Sequence, residues 1–373
     1  MEKRRQMRTA VLSVQAGRVA LIGMTRAELR AWATAQGWPA YRGDQLFMWL
    51  YARQARSFDG MTDLPRALRE ALTERAVIEW PEPLRRDVAD DGTVKYVLRL
   101  TDGAVVETVF MPRPDGRATV CVSTQVGCPM GCRFCVTGAM GFGRNLTAGE
   151  IVGQVLVVRA DHPEVVGWNV VLMGMGEPLL NLDAVEKALD ILWDPRGLGI
   201  GPRHTTVSTV GIVPGIRRLM TRPVRPRLAV SLHAPEPALR ARLVPVERKY
   251  GLFELMQALR EVPLETRREW VTIEYTLIGG VNDRPEHARR LARLVRPLRC
   301  KVNLIPYNPA PIFPLEEPTP EAVEAFARIL RSHGLTVTVR QNRGRRVMAA
   351  CGQLGYEFVR PEARGPAEGT TGP

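Results

Sequence analysis

From Trp168 onward the chain alternates short apolar runs with longer amphipathic ones, and this rhythm limits the fold more than any other feature. The apolar runs, at 168–173, 205–208, 227–232, 270–276, 301–305 and 335–339, have the length and composition of strands. Helical patterns lie near 147–160, 183–193, 236–243, 251–261, 285–297 and 319–332. Strands that alternate with helices pair in parallel, because each crossover returns the chain to the same end of the sheet. The expected fold is α/β: a partial (β/α)6 barrel with its site at the C-terminal ends of the strands.

Two smaller regions precede this core. Between residues 25 and 75 the pattern is helical, opening on Thr25-Arg-Ala-Glu28, which has the form of a capping box. A second helix runs over 44–53, and a third over 64–72 with Pro65 in its first turn. Residues 94–100, 104–111 and 118–123 alternate as strands, with Asp102-Gly103 and Asp115-Gly116 at the turns. The expected division is a small N-terminal helical domain, either a packing cap or an RNA-binding accessory domain (1–85), a connecting β segment (86–113), the core (114–346) and a C-terminal segment (347–373). Its end, 361–373, reads as disordered.

Lys and Arg number 52 against 39 Asp and Glu in 373 residues, a formal charge of +13. That excess favours a polyanionic partner such as nucleic acid over a merely solvated arginine-rich surface only once a site supports it. No apolar run reaches the roughly 20 residues that cross a bilayer. The basic start is followed by a stretch, 11–24, that Gln15 and Arg18 interrupt, so a cytoplasmic protein is expected. Six cysteines make no disulfide scaffold at this length.

Three of those cysteines stand in Cys128-Pro-Met-Gly-Cys132-Arg-Phe-Cys135, and Cys121 precedes them. Zinc in a structural site wants four ligands, and none of His162, His204, His233, His287 and His333 lies close in sequence. A 4Fe-4S cluster held by three thiolates keeps one iron open for a small molecule. This spacing is the signature of radical S-adenosylmethionine (SAM) enzymes. The wider run from Gln125 to Gly138, then Gly141-Phe-Gly-Arg-Asn-Leu146, resembles the RlmN/Cfr family, which methylates an unactivated carbon of adenine in RNA. Tyr41-Arg-Gly-Asp-Gln-Leu-Phe-Met-Trp-Leu-Tyr51 is similar to that family's amino-terminal domain, and the likeness spans about Thr25 to Leu354.

The resemblance implies a radical-SAM barrel with a 4Fe-4S cluster on Cys128, Cys132 and Cys135, and two SAM molecules per turnover. Gly174-Met-Gly-Glu-Pro178 follows a strand, and Gly176 and Glu177 would face the methionine amine. Ser208, Ser231, Leu232, His233 and Asn308, also at strand ends, would contact SAM. Cys351, in Ala349-Ala-Cys-Gly-Gln-Leu354, would become S-methylcysteine, Cys121 its later disulfide partner, and Glu107 a candidate acid/base. Cys300 matches no family role.

An adenine ring carbon is too weak a nucleophile to attack SAM, whereas a thiolate is strong enough. A methyl group on Cys351, activated by the radical from a second SAM, would add to the base and be released by Cys121. The implied substrates are 23S rRNA at the peptidyl-transferase centre and tRNA beside the anticodon, methylated at C2. A flavodoxin or ferredoxin would donate electrons to a monomeric enzyme. C8 methylation, as in a resistance-type enzyme, is the nearest alternative; a non-catalytic, metal-stabilised RNA-binding protein is the alternative from another class. A methylthiotransferase would carry a second upstream cysteine triad, where this chain has Cys121 alone. Arg345-Arg346 departs from the acidic residue that the family usually carries ahead of the C-terminal cysteine.

Overall fold

The computed structural model describes residues 14–359 except 16, 267, 268 and 342. The tail expected to be disordered, 361–373, lies outside the described residues.

All six expected strands form and pair in parallel, in chain order, from Gly167–Leu172 through Thr205–Thr209, Arg227–Ser231, Val271–Leu277 and Cys300–Pro306 to Thr336–Val339. A further strand, Arg117–Cys121, pairs parallel to Gly167–Leu172 on one side, with Val171 opposite Cys121. On its other side it pairs antiparallel to Val105–Pro112. The meander Glu82–Val88, Val94–Arg99 and Val105–Pro112 therefore extends the same sheet, which has ten strands among the described residues. It satisfies the backbone groups that an open parallel edge would leave unpaired. The expected boundary at 85/86 falls inside the strand Glu82–Val88, and that at 113/114 in a turn closed by Arg113 N donating to Arg117 O at 2.9 Å.

One face of the parallel sheet is apolar: Val170, Leu172, Val207, Val230, Ile273 and Val302 are all buried. Helices Ala148–Asp161, Leu182–Trp193, Val213–Met220, Leu252–Arg260, Pro285–Val295 and Pro320–Ser332 return the chain between strands and share their buried cores with it. Because side chains alternate along a strand, the other face carries Thr206, Ser208, Ser231, Thr272 and Asn303, all partly accessible. That polar face belongs to the site.

The N-terminal module folds as its caps predict. Glu28 N donates to Thr25 Oγ1 at 3.2 Å and Thr25 N to Glu28 Oε2 at 2.8 Å, opening the helix Arg26–Ala35. Tyr41–Phe47 continues as a wider π-type turn over Met48–Ala52, and Pro65 immediately precedes the helix Arg66–Arg75. Buried Tyr51 donates to Met24 O and accepts from Gly23 N, each at 2.9 Å. Arg26 to Asp194 (2.9 Å) and Lys187 to Glu28 (2.8 Å) tie the module to the core.

Candidate active site

The cysteine loop is closed by a short hairpin in which Gln125–Gly127 pairs antiparallel with Phe142–Asn145. Gly127 has φ +69°, and a Cβ there would lie 2.0 Å from Gly141 O, so only glycine permits this closure. Cys128 N donates to that same oxygen at 2.7 Å. Cys132 is buried, Cys128 and Cys135 half-buried, and Cys135 immediately precedes the short helix Val136–Ala139. Burial pushes all three thiols up, Cys128 to about 12, and repulsion from the other two thiols adds to this at Cys132. Such thiols become thiolates only when cations take the place of their protons, as irons do. Among the described residues no group of three or more His, Cys, Asp or Glu could hold a single metal ion. Three thiols on one loop have the chemistry to hold a 4Fe-4S cluster, in which each thiolate meets a different iron.

An open cavity lies against Cys132 and Cys135 at the C-terminal ends of the strands. Gly176, Glu177, Ser208, Ser231 and His233 all line it. Gly176 has φ +105°, and a Cβ would come within 2.7 Å of Gln125 Cβ. Glu177 is fully buried, accepting from Leu179 N at 3.0 Å and Val210 N at 2.8 Å. Burial outweighs those bonds and pushes its carboxyl up to about 7. His233 accepts from Thr276 N at Nδ1 (3.0 Å), so its proton sits on Nε2. Burial pushes it down to about 3, which makes it a neutral donor. Its left-handed backbone, φ +59°, is held by Asn282 Nδ2 donating to His233 O at 2.8 Å.

Leu232 is placed differently. Its side chain is fully buried and does not line the cavity. Asn308 also lies outside the lining, and its Nδ2 donates to Cys351 O at 3.4 Å. Asn308 Oδ1 and Tyr307 OH are buried without partners, as expected where a polar ligand completes the site.

Cys351 lines this cavity and also a smaller one, which it shares with Cys121, Cys135, Thr137, Met173 and Arg340. Its loop docks on the cysteine motif: Val136 N donates to Gly352 O and Thr137 Oγ1 to Leu354 O, both at 2.8 Å. Cys121 and Cys351 are free cysteines, and burial pushes Cys121 up to about 12. Arg340, which the sequence did not single out, donates from Nη1 to Cys351 Sγ at 3.0 Å. Glu274 lines the large cavity too and accepts from Asn303 Nδ2 at 2.7 Å. Glu274 gave a signal as a carboxylate inside the strand Val271–Leu277, whereas Arg340 follows its strand at the head of a basic stretch.

Glu107 lines neither cavity. It is buried, lies 3.5 Å from Lys95 Nζ, and accepts from Gly355 N at 2.8 Å, so it anchors the segment just after Cys351. Burial raises its pKa above the ordinary carboxylate range, against the pull of Lys95. Arg345 and Arg346 point their charge elsewhere, to Glu317 and Asp90, each at 2.6 Å.

Known proteins match this chain along most of its length. A family model described as the radical SAM superfamily matches residues 122–292, and one described as the ribosomal RNA large subunit methyltransferase N-terminal domain matches 19–78. A probable dual-specificity RNA methyltransferase RlmN from Gemmatimonas aurantiaca is 50% identical over 329 residues, 88% of this chain and 90% of that protein. The dual-specificity RNA methyltransferase RlmN of Nitratidesulfovibrio vulgaris is 49% identical over 346 residues, 90% of this chain and 94% of its own. The crystal structure of a radical SAM methyltransferase from Sphaerobacter thermophilus superposes with a TM-score of 0.86 at 48% identity, covering 90% of this chain and 99% of that one.

Proposed function

The chain belongs to the RlmN family of radical SAM RNA methyltransferases, and from that premise we propose that it methylates C2 of adenine in 23S rRNA and in tRNA, with Cys351 as the methyl carrier. It is a SAM-dependent enzyme whose cofactor is a 4Fe-4S cluster. Cys128, Cys132 and Cys135 would hold that cluster, which with its bound SAM supplies a one-electron route to breaking an unactivated C–H bond.

The chain's own residues do the rest. Buried Glu177 receives the amino group of SAM, whose positive charge offsets the cost of ionising that carboxyl. His233 donates from Nε2, and Ser208 and Ser231 offer hydroxyls from neighbouring strand ends. Arg340 holds Cys351 in place, its Nη1 donating to Sγ, the atom that accepts the methyl group. Cys121 is the second thiol. Once the adduct has lost one electron and its ring proton, Cys121 attacks the Cys351 sulfur, and the bond from that sulfur to the methylene carbon breaks. The carbon takes up a proton to become the methyl group, and a Cys121–Cys351 disulfide remains. For Glu107 the geometry favours holding the Cys351 segment in place over direct contact with the base.

The observation that carries this reading is that Cys121, Cys135, Arg340 and Cys351 line one small cavity. The reading also takes a flavodoxin or ferredoxin as electron donor, and a monomer acting in the cytoplasm. No helix among the described residues is long and apolar enough to cross a membrane. The test is nuclease digestion and mass spectrometry of RNA from a strain lacking the gene. C2-methyladenosine should vanish from 23S rRNA and tRNA and return with the wild-type gene, not with Cys351→Ala. Loss of C8-methyladenosine instead would overturn the position assigned here.

A further inference from the structure

The cavity at Cys351 continues down the polar face of the sheet. Met173, Glu274 and Arg340 line both it and a second hollow that runs over Val171, Thr206, Thr272 and Asn303. That hollow in turn shares Thr119, Val171, Thr206 and Arg227 with a third, at the N-terminal ends of the strands, where Arg117, Arg203 and His204 gather. The three form one trench. Residues 169, 171 and 173 lie on the same face, and at about 3.3 Å per residue they span roughly 13 Å of it.

The far end of the trench is basic, with Arg113 paired to Asp115 and three further arginines beside it. Among the described residues, Arg117, Arg203 and Arg227 make no ion pair. Arginines on the helical side behave otherwise: Arg217 pairs with Glu261 at 3.1 Å, Arg218 with Asp183 at 2.5 Å, and Arg222 with Asp190. Arg117 Nη2 donates to His204 Nδ1 at 3.0 Å, but its Nε is buried with no partner. His204, whose Nδ1 also lies 2.9 Å from Asn169 Oδ1, is pushed down by burial first and then by Arg117 and Arg227. Arg227 rests over the ring of Trp270 at 5.3 Å, with Lys301 against the same ring at 3.5 Å. Asp115 is the nearby carboxylate, paired with Arg113 at 3.1 Å and accepting from Arg117 N, so the guanidinium groups of Arg117, Arg203 and Arg227 still repel one another, and an anion between them relieves that cost.

We propose that the basic end of this trench holds phosphates of the RNA segment that flanks the target adenine, while the base reaches Cys351 at the other end. The inference rests on RNA being the substrate. Continuity with the reaction cavity favours a phosphodiester chain over a free anion, and the hydroxyls and amides along the trench suit sugar and phosphate oxygens. A chain threaded over one face of a sheet must be unpaired, which fits an enzyme that needs its base unstacked.

The test uses the holoenzyme and a short single-stranded RNA containing adenine, with binding followed by fluorescence anisotropy across a salt series. Arg203 and Arg227 are exposed, so replacing them leaves the fold intact. Arg203→Ala/Arg227→Ala should weaken binding on the order of tenfold at low salt and flatten the plot of log affinity against log salt by about 0.7 per lost contact. Arg203→Lys/Arg227→Lys should keep most of the slope. Arg217→Ala/Arg218→Ala removes the same charge from the ion-paired face and should change affinity by less than about twofold. A wild-type slope in the Arg203→Ala/Arg227→Ala protein would overturn the trench, as would an equal loss in the Arg217→Ala/Arg218→Ala control. Wild-type enzyme that binds no RNA would overturn the RNA methyltransferase reading itself.

Discussion

Arg240 is fully buried and donates in three directions. Its Nε reaches Leu232 O at 3.2 Å, its Nη2 Val210 O at 2.5 Å, and its Nη1 Glu247 Oε2 at 2.6 Å. Val210 and Leu232 follow neighbouring strands, so one guanidinium ties together the two loops that present Thr209 and His233 to the cavity. The other oxygen of Glu247 accepts from Leu252 N at 2.8 Å, which fixes the carboxylate. Burial lowers the pKa of Arg240 despite that pairing, a measure of how little water reaches it. Arg240→Ala would strand two carbonyls and a carboxylate at once. Breaking a buried pair from one side costs about 3–5 kcal/mol. Arg240→Lys keeps a charge opposite Glu247 but cannot reach both carbonyls, so about 1–3 kcal/mol should be lost. Denaturant unfolding of the anaerobic holoenzyme, followed by tryptophan fluorescence, measures both, and equilibrium dialysis should show weaker SAM binding by each. A loss under about 1 kcal/mol for Arg240→Ala, the size of an ordinary surface change, would refute the reasoning.

The remaining predictions concern the reaction. Replacing Cys128, Cys132 or Cys135 with Ala should abolish iron loading and RNA methylation together; a triple variant with its full complement of iron and sulfide would show the ligands to be misassigned. Cys121→Ala should stall after bond formation, leaving a protein–RNA adduct that nuclease shortens on a gel. Adding Cys351→Ala should remove that adduct, and an adduct that persists would sink the two-thiol order of events. Glu177 is raised from 4.5 to about 7, so between those values the folded protein holds a proton that the unfolded chain has lost. Stability therefore falls as pH rises through that window, by about 3 kcal/mol in all, and Glu177→Gln should flatten the slope. SAM affinity should run the opposite way, rising as the carboxyl ionises near pH 7; a flat binding profile across that range would count against Glu177 as the partner of the amino group.

What the sequence determined by itself is whatever lies close along the chain. The Thr25 cap needs only Glu28, and Cys128, Cys132 and Cys135 share one short loop whose glycines bend it back on itself. The Gly176-Glu177 element could be found at a strand end because apolar periodicity locates strands. Periodicity says which residues share a face but not which strands are neighbours. The pairing of Arg117–Cys121 with Gly167–Leu172, which merges the meander into the parallel sheet, was therefore decided only on folding. So were the anchoring of Gly355 by Glu107 and the contact of Arg340 with Cys351, the first linking positions 248 residues apart. The trench cations Arg117, Arg203 and Arg227 meet because parallel strands bring their N-terminal ends together. Charge state is likewise a property of surroundings: Glu177 near 7 and His233 near 3 reflect the water each has lost, and only the packed tertiary structure removes that water.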